Sequence, residues 1–133
     1  MMPRRLLLAG LAALIPAVAV AHVQPGSRGP NGGAMADLGP YHAELLAKDG
    51  ELTLFLFDTS DRPIRLPEAA ATGLLVADGR QHALTFTRRP DGTSLAAAGD
   101  FRAAPGMRVV VQLLPAPGQP RVQARFTPAD PPR

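Results

Sequence analysis

The stretch "YHAELLAKDGELTLFLFD", Tyr41 to Asp58, decides the fold class. Two apolar runs flank Asp49-Gly50, and an Asp-Gly between such runs is a strong signal for a tight β-hairpin. The first run alternates. Tyr41, Ala43, Leu45 and Ala47 share one face, and His42 and Glu44 share the other. The second run is apolar on both faces, with Leu52, Leu54 and Leu56 opposite Phe55 and Phe57. Such a strand is expected to be central and covered on both sides.

The same grammar continues towards the C-terminus. "TGLLVADG" and "QHALTFTRRPDG" predict a second hairpin at Asp78-Gly79, and Pro90-Asp91-Gly92 turns the chain into "TSLAAAGD". "MRVVVQLLP" has the β-branched density of a strand, and Ala116-Pro117-Gly118 turns it into "PRVQARFTP". Pro63 and Pro67 bar a central strand between Thr59 and Ala70, so that piece reads as a connection from one sheet to another. Strands recurring every 8–12 residues mark an all-β sandwich or barrel. The expectation is an immunoglobulin-like or related Greek-key sandwich of about seven or eight strands. The Ala-rich pieces are too short for stable helices.

Before the hairpin the composition changes. Arg4 and Arg5 precede an unbroken apolar run, Leu6 to Ala21, that ends in Ala19-Val20-Ala21. A basic start, an apolar stretch and a small-x-small end predict a secretory signal peptide over 1–21. The run is short for a membrane span, which needs about 20 residues, and it contains Pro16. No membrane contact is expected after cleavage, and the destination is periplasmic or secreted. Residues 22–33, rich in Gly, Pro and small polar types, read as a flexible arm. The sandwich then spans 34–128, and 129–133 form a disordered tail.

Loss of the leader removes two arginines and no acids. Twelve basic residues then face eleven acidic ones, against +3 for all 133 residues. No basic stripe with interleaved aromatics exists, so nucleic acid gains no support and is not expected as a partner. There is no cysteine, which fits an oxidising compartment and removes both a thiol nucleophile and a cysteine lipid anchor. Ser27, Ser60 and Ser94 lie in no nucleophile elbow. "GPNGG" lacks the strand, helix and Lys-Ser/Thr of a phosphate loop. The aspartates fall mostly in turns, where turn chemistry accounts for them. An enzyme is not expected.

The histidines carry the remaining chemistry. Cleavage after Ala21 makes His22 the first residue, offering its α-amine and ring Nδ1 to one ion. Those two nitrogens plus a second imidazole make a planar set suited to Cu(II). His42 is the nearest partner, with Glu44 or Asp37 as an oxygen ligand or a supporting contact. The candidate metal site is therefore His22, His42, Glu44 and Asp37, with copper as the expected ion. Met35 shares a face with Asp37, and its thioether would suit Cu(I); Met35 and Met107 are equally readable as core filler. His42 and Glu44 are likewise readable as the solvated face of an edge strand. His82 falls beside a hairpin end.

The segment "GPNGGAMADLGPYHAELLAKDGELTLFLFDTSDRPI" resembles small secreted bacterial β-proteins. Their pattern is a histidine after the signal peptide, then G-P-N-G-G, then a D-x-G-x-Y-H-x-E-L block. It matches His22, Gly29 to Gly33, and Asp37, Gly39, Tyr41, His42, Glu44 and Leu45. The opening also looks like that of periplasmic adaptor subunits of heavy-metal efflux pumps. His22 and the fold class give a looser resemblance to copper-carrying periplasmic sandwiches. The resemblance implies a periplasmic location, a link to copper or related metal handling, and an efflux-system or other periplasmic protein as a partner. It implies no known enzymatic activity. Relatives often carry a histidine directly before G-P-N-G-G, where this chain has Arg28. The alternative expectation is a metal-free adaptor module whose edge strand at Tyr41 adds to a partner's sheet.

Overall fold

The computed structural model describes residues 21–131. The expected signal peptide lies outside the described residues except for Ala21, as do the last two residues of the expected tail. Among the described residues the protein is all β. Its eight strands are β1 (Ala34–Leu38), β2 (Tyr41–Lys48), β3 (Glu51–Phe57), β4 (Ala70–Ala77), β5 (Arg80–Arg88), β6 (Ser94–Ala98), β7 (Arg108–Leu114) and β8 (Val122–Phe126).

The hairpin at Asp49-Gly50 forms as its sequence dictates, pairing Lys48 with Glu51 and His42 with Phe57. At the β4–β5 turn Asp78 and Gly79 both have positive φ, the conformation an Asp-Gly pair tolerates and a two-residue hairpin requires. All strand pairs are antiparallel, in the order β1-β2-β3-β6-β5-β4-β7-β8. Within it β4, β5 and β6 follow one another as hairpins, and β3 lies beside β6, which is a Greek key. The connection that carries Pro63 and Pro67 takes the chain across from β3 to β4. The sheet winds round until β1 and β8 lie side by side without a ladder, giving a nearly closed, barrel-like sandwich. One continuous sheet replaces the two separate sheets of a simple sandwich, because β5 pairs with β4 along most of its length and with β6 at Thr87 and Arg88.

The core fills the interior. Ala43 and Leu45 of β2, and Leu52, Leu54 and Leu56 of β3, meet Leu75, Leu84, Phe86, Leu95, Val109, Val111, Leu113 and Phe126 from the rest of the sheet. Each large aliphatic side chain moved from water into such a core contributes about 1.5–3 kcal/mol. β3 is buried along its inner face and only in part along its outer one. There Phe57 is buried beside the segment before β1, whereas Phe55 is half-buried and Glu51 exposed.

β2 is not an edge strand. β1 pairs along one side of it and β3 along the other, so the edge-strand expectation for Tyr41 is corrected. The ends of the sheet are β1 and β8. "AMADL" is too short and too weakly alternating to announce β1. Its register is set by the interior face it shares with β2, where Ala36 pairs with Ala43 and Leu38 with Tyr41.

Leu54 is fully buried at the centre of β3, whereas Leu74 on β4 is 39 % exposed. Leu54→Ala should cost about 2–5 kcal/mol by the transfer and cavity terms. Leu74→Ala should cost about 0.5 kcal/mol or less. Urea unfolding of the two variants beside the parent checks the contrast.

Candidate functional site

The outer face of β1 and β2 carries the polar residues of the sequence motif. Met35 stands opposite Glu44, and Asp37 opposite His42. Polar groups on an outward face are ordinarily solvated, yet His42 is 4 % exposed and Glu44 is fully buried. Residues 22–33, expected as a flexible arm, fold back over them. Ser27 and Met35 join the arm to β1 by a backbone bond, Met35 N–H donating to Ser27 O at 3.1 Å, and Arg28 forms a β-bridge with Ala34.

Glu44 holds the arm down. Its carboxylate accepts from Asn31 N–H at 2.9 Å, from Asn31 Nδ2 at 2.9 Å and from Gly33 N–H at 2.7 Å. A buried carboxylate without such donors would be very costly. The "GPNGG" loop is shaped to supply them. A Cβ at Gly29 would overlap the Glu44 side chain, and one at Gly33 would lie 2.6 Å from the Leu45 carbonyl oxygen. Gly32 turns the loop with φ +83°. Gly29 N–H then closes the loop on Gly33 O at 2.9 Å. Glu44 was expected at the metal site, but its carboxylate is turned to this loop and engaged there.

His42 is engaged differently. Its Nδ1 lies 2.8 Å from Asp61 Oδ1, and its Nε2 lies 2.7 Å from the Ala21 carbonyl oxygen and 3.5 Å from Asp37 Oδ1. A carbonyl can only accept, and so can a carboxylate without its proton, so these surroundings favour the imidazolium, in which both ring nitrogens donate. Burial works against that charge. The Asp61 bond, the Ala21 carbonyl and the negative charges of Asp61 and Asp37 outweigh it and raise the His42 pKa above the ordinary value. His22 joins the same group, its Nδ1 3.4 Å from Asp37 Oδ2, while Val23 N–H donates to Asp37 Oδ1 at 3.1 Å.

Asp61 was missed in sequence because it sits in "DTSDR", where turn chemistry accounts for aspartates. Asp58 does serve that purpose. Its Oδ1 accepts from Arg62 N–H at 3.0 Å and Ser60 N–H at 2.8 Å, bonds that hold its carboxyl below the usual carboxylate range. Asp61 has φ 59°, a left-handed backbone that aspartate tolerates, and this turn presents its carboxylate to His42. A second aspartate three residues after a turn-capping one is the only sequence signal that marks it.

His22, Asp37, His42 and Asp61 are thus brought together, and Glu44 is diverted to the loop. A cavity of about 480 Å³ opens between arm and sheet, lined among others by His22, Ser27, Met35, His42, Phe57 and Asp61. Among the described residues no group of three or more His, Cys, Asp or Glu side chains has the geometry to hold a metal ion by side chains alone. His82 lies away from this group, half-buried near the β4–β5 turn and paired in register with Leu75. No family model, curated protein or solved structure matches this chain.

Two outcomes follow. Glu44→Gln replaces an acceptor with a donor facing N–H groups and should cost about 1–3 kcal/mol, lowering Tm by about 4 °C per kcal/mol. In the chain that retains Ala21, the raised His42 pKa favours the folded state at low pH. That stability is fully present below the unfolded value of 6.5 and is lost as pH rises through the higher folded value. Asp61→Asn should flatten this dependence, read by urea unfolding across a pH series. A slope unchanged in Asp61→Asn would contradict the assigned cause.

Proposed function

We propose that the chain, with its leader removed after Ala21, is a periplasmic, non-enzymatic metal-handling protein that binds copper. One observation carries the proposal: His42 Nε2 is met at 2.7 Å by the carbonyl that is bonded to the His22 nitrogen. Across a peptide unit the oxygen and nitrogen are about 2.2 Å apart. Cutting this bond would leave the His22 α-amine within about 5 Å of His42 Nε2 by that geometry. The carbonyl that occupies Nε2 would go with the leader. Amine and Nδ1 of His22, Nε2 of His42 and an Asp37 oxygen then form the donor set, three nitrogens and one oxygen of the kind Cu(II) prefers. Asp61 keeps its bond to Nδ1 and so orients His42 with Nε2 towards the ion. Coordination requires the deprotonated imidazole, so affinity weakens on acidification.

The metal-free adaptor reading keeps one observation in its favour. Among the described residues the sheet is unladdered only at the seam between β1 and β8, so a partner strand would have to enter that seam rather than pair at Tyr41. Capture of a periplasmic protein that is lost on introducing proline into β8 would favour it.

Titration of Cu(II) into the chain beginning at His22 tests the metal reading. One added alanine before His22 should weaken binding by more than about 100-fold, beyond the 10- to 100-fold range for outer contacts. Asp61→Asn should fall within that range. Equal affinity in the parent, the extended chain and His42→Ala overturns the ligand set.

A further inference from the structure

Resting on the copper reading above, we propose that the same cavity also holds reduced copper, Cu(I), with the Met35 thioether as a ligand. The two methionines among the described residues have different fates. Met107 is 1 % exposed and belongs to the hydrophobic core. Met35 is half-buried on the outer face of β1, does not belong to that core, and lines the cavity with His22 and His42. Its position is fixed by the ladder. Asp37 pairs with His42, and Met35 is two residues along on the same face, a diagonal neighbour within reach of a long side chain. The backbone there is pinned on both sides, by Glu44 of β2 across the ladder and by Ser27 of the arm. Three rotatable bonds then let the sulfur be carried towards the histidines.

The donor chemistry separates the two oxidation states. Asp37 contributes a hard oxygen, and amine and imidazole nitrogens suit Cu(II). Thioether sulfur is a soft donor with little affinity for Cu(II) in such a set, and it selects Cu(I). A site with imidazole on one side and a thioether on the other holds the ion in both forms. Copper can then be bound in either oxidation state at one site.

The experiment uses the chain beginning at His22 and its Met35→Leu variant, which keeps an apolar side chain of similar volume. Cu(I) affinity is measured anaerobically by competition with a chromophoric Cu(I) chelator, and Cu(II) affinity by direct titration. Met35→Leu should weaken Cu(I) by about 10-fold or more and leave Cu(II) affinity unchanged. X-ray absorption on the Cu(I)-loaded parent should show a sulfur neighbour, a readout that does not depend on the variant folding. Unchanged Cu(I) affinity in the variant, equal loss for both ions, or a parent spectrum with no sulfur overturns the Met35 assignment while Cu(II) binding leaves the site itself standing. Absence of Cu(II) binding in the parent sinks the underlying reading and this proposal with it.

Discussion

A fully buried carboxylate on the outward face of a strand dictates the rest of this architecture. Glu44 stands beside Phe55 and Met35 where water would normally serve it, and instead three N–H donors of the 29–33 loop do so. Removing a charge from water is tolerable only when its lone pairs are matched. The loop must therefore lie flat on β2, and it can do so only if Gly29 and Gly33 carry no Cβ. Everything N-terminal to that loop follows. Once residues 29–33 are clasped, the arm returns along β1, covers Phe57 and His42, and delivers His22 to Asp37.

β2 consequently does two jobs with one alternation. Its odd-numbered residues build the interior with β3, an ordinary apolar core. Two of its even-numbered residues, His42 and Glu44, build a polar layer between sheet and arm, in which every buried polar side chain has a partner. That layer divides along the strand. Glu44 is consumed in holding the arm, while His42, two residues earlier, is held by a bond that crosses to Asp61 and another to the carbonyl of Ala21, the residue before the arm. A motif that looks single in sequence is two devices, a clasp and a site, and the first positions the second.

What could be read in advance divides along the same physical line. The hairpins at Asp49-Gly50 and Asp78-Gly79 were legible because turn chemistry is local: two residues decide them. The core face of β2 was legible because alternation is local too. Strand order was not, since the placement of β3 beside β6 depends on contacts some forty residues apart. The burial of His42 and Glu44 was hidden for a related reason. Alternation reports which face a residue takes, not whether an arm later covers that face. Asp61 was masked by a turn that explains one aspartate and conceals the use of the other. Met35 and Met107, chemically identical, were separable only once the core was seen to include one of them.

Arg28 shows how closely the clasp and the closure of the sheet are linked. It directly precedes the 29–33 loop. Its guanidinium donates to Gly32 O at 3.0 Å within the loop, and to the carbonyls of Pro128 and Asp130 beyond β8. Asp130 in turn accepts from Gly106 N–H at 2.7 Å. β1 and β8 do not share a ladder, so this side chain does part of what a ladder would do there, with several donors fanned from one planar group. Histidine offers at most two donors in one plane and cannot span three carbonyls. The side chain is therefore structural: it ties the loop to the segment after β8, between the two ends of the sheet.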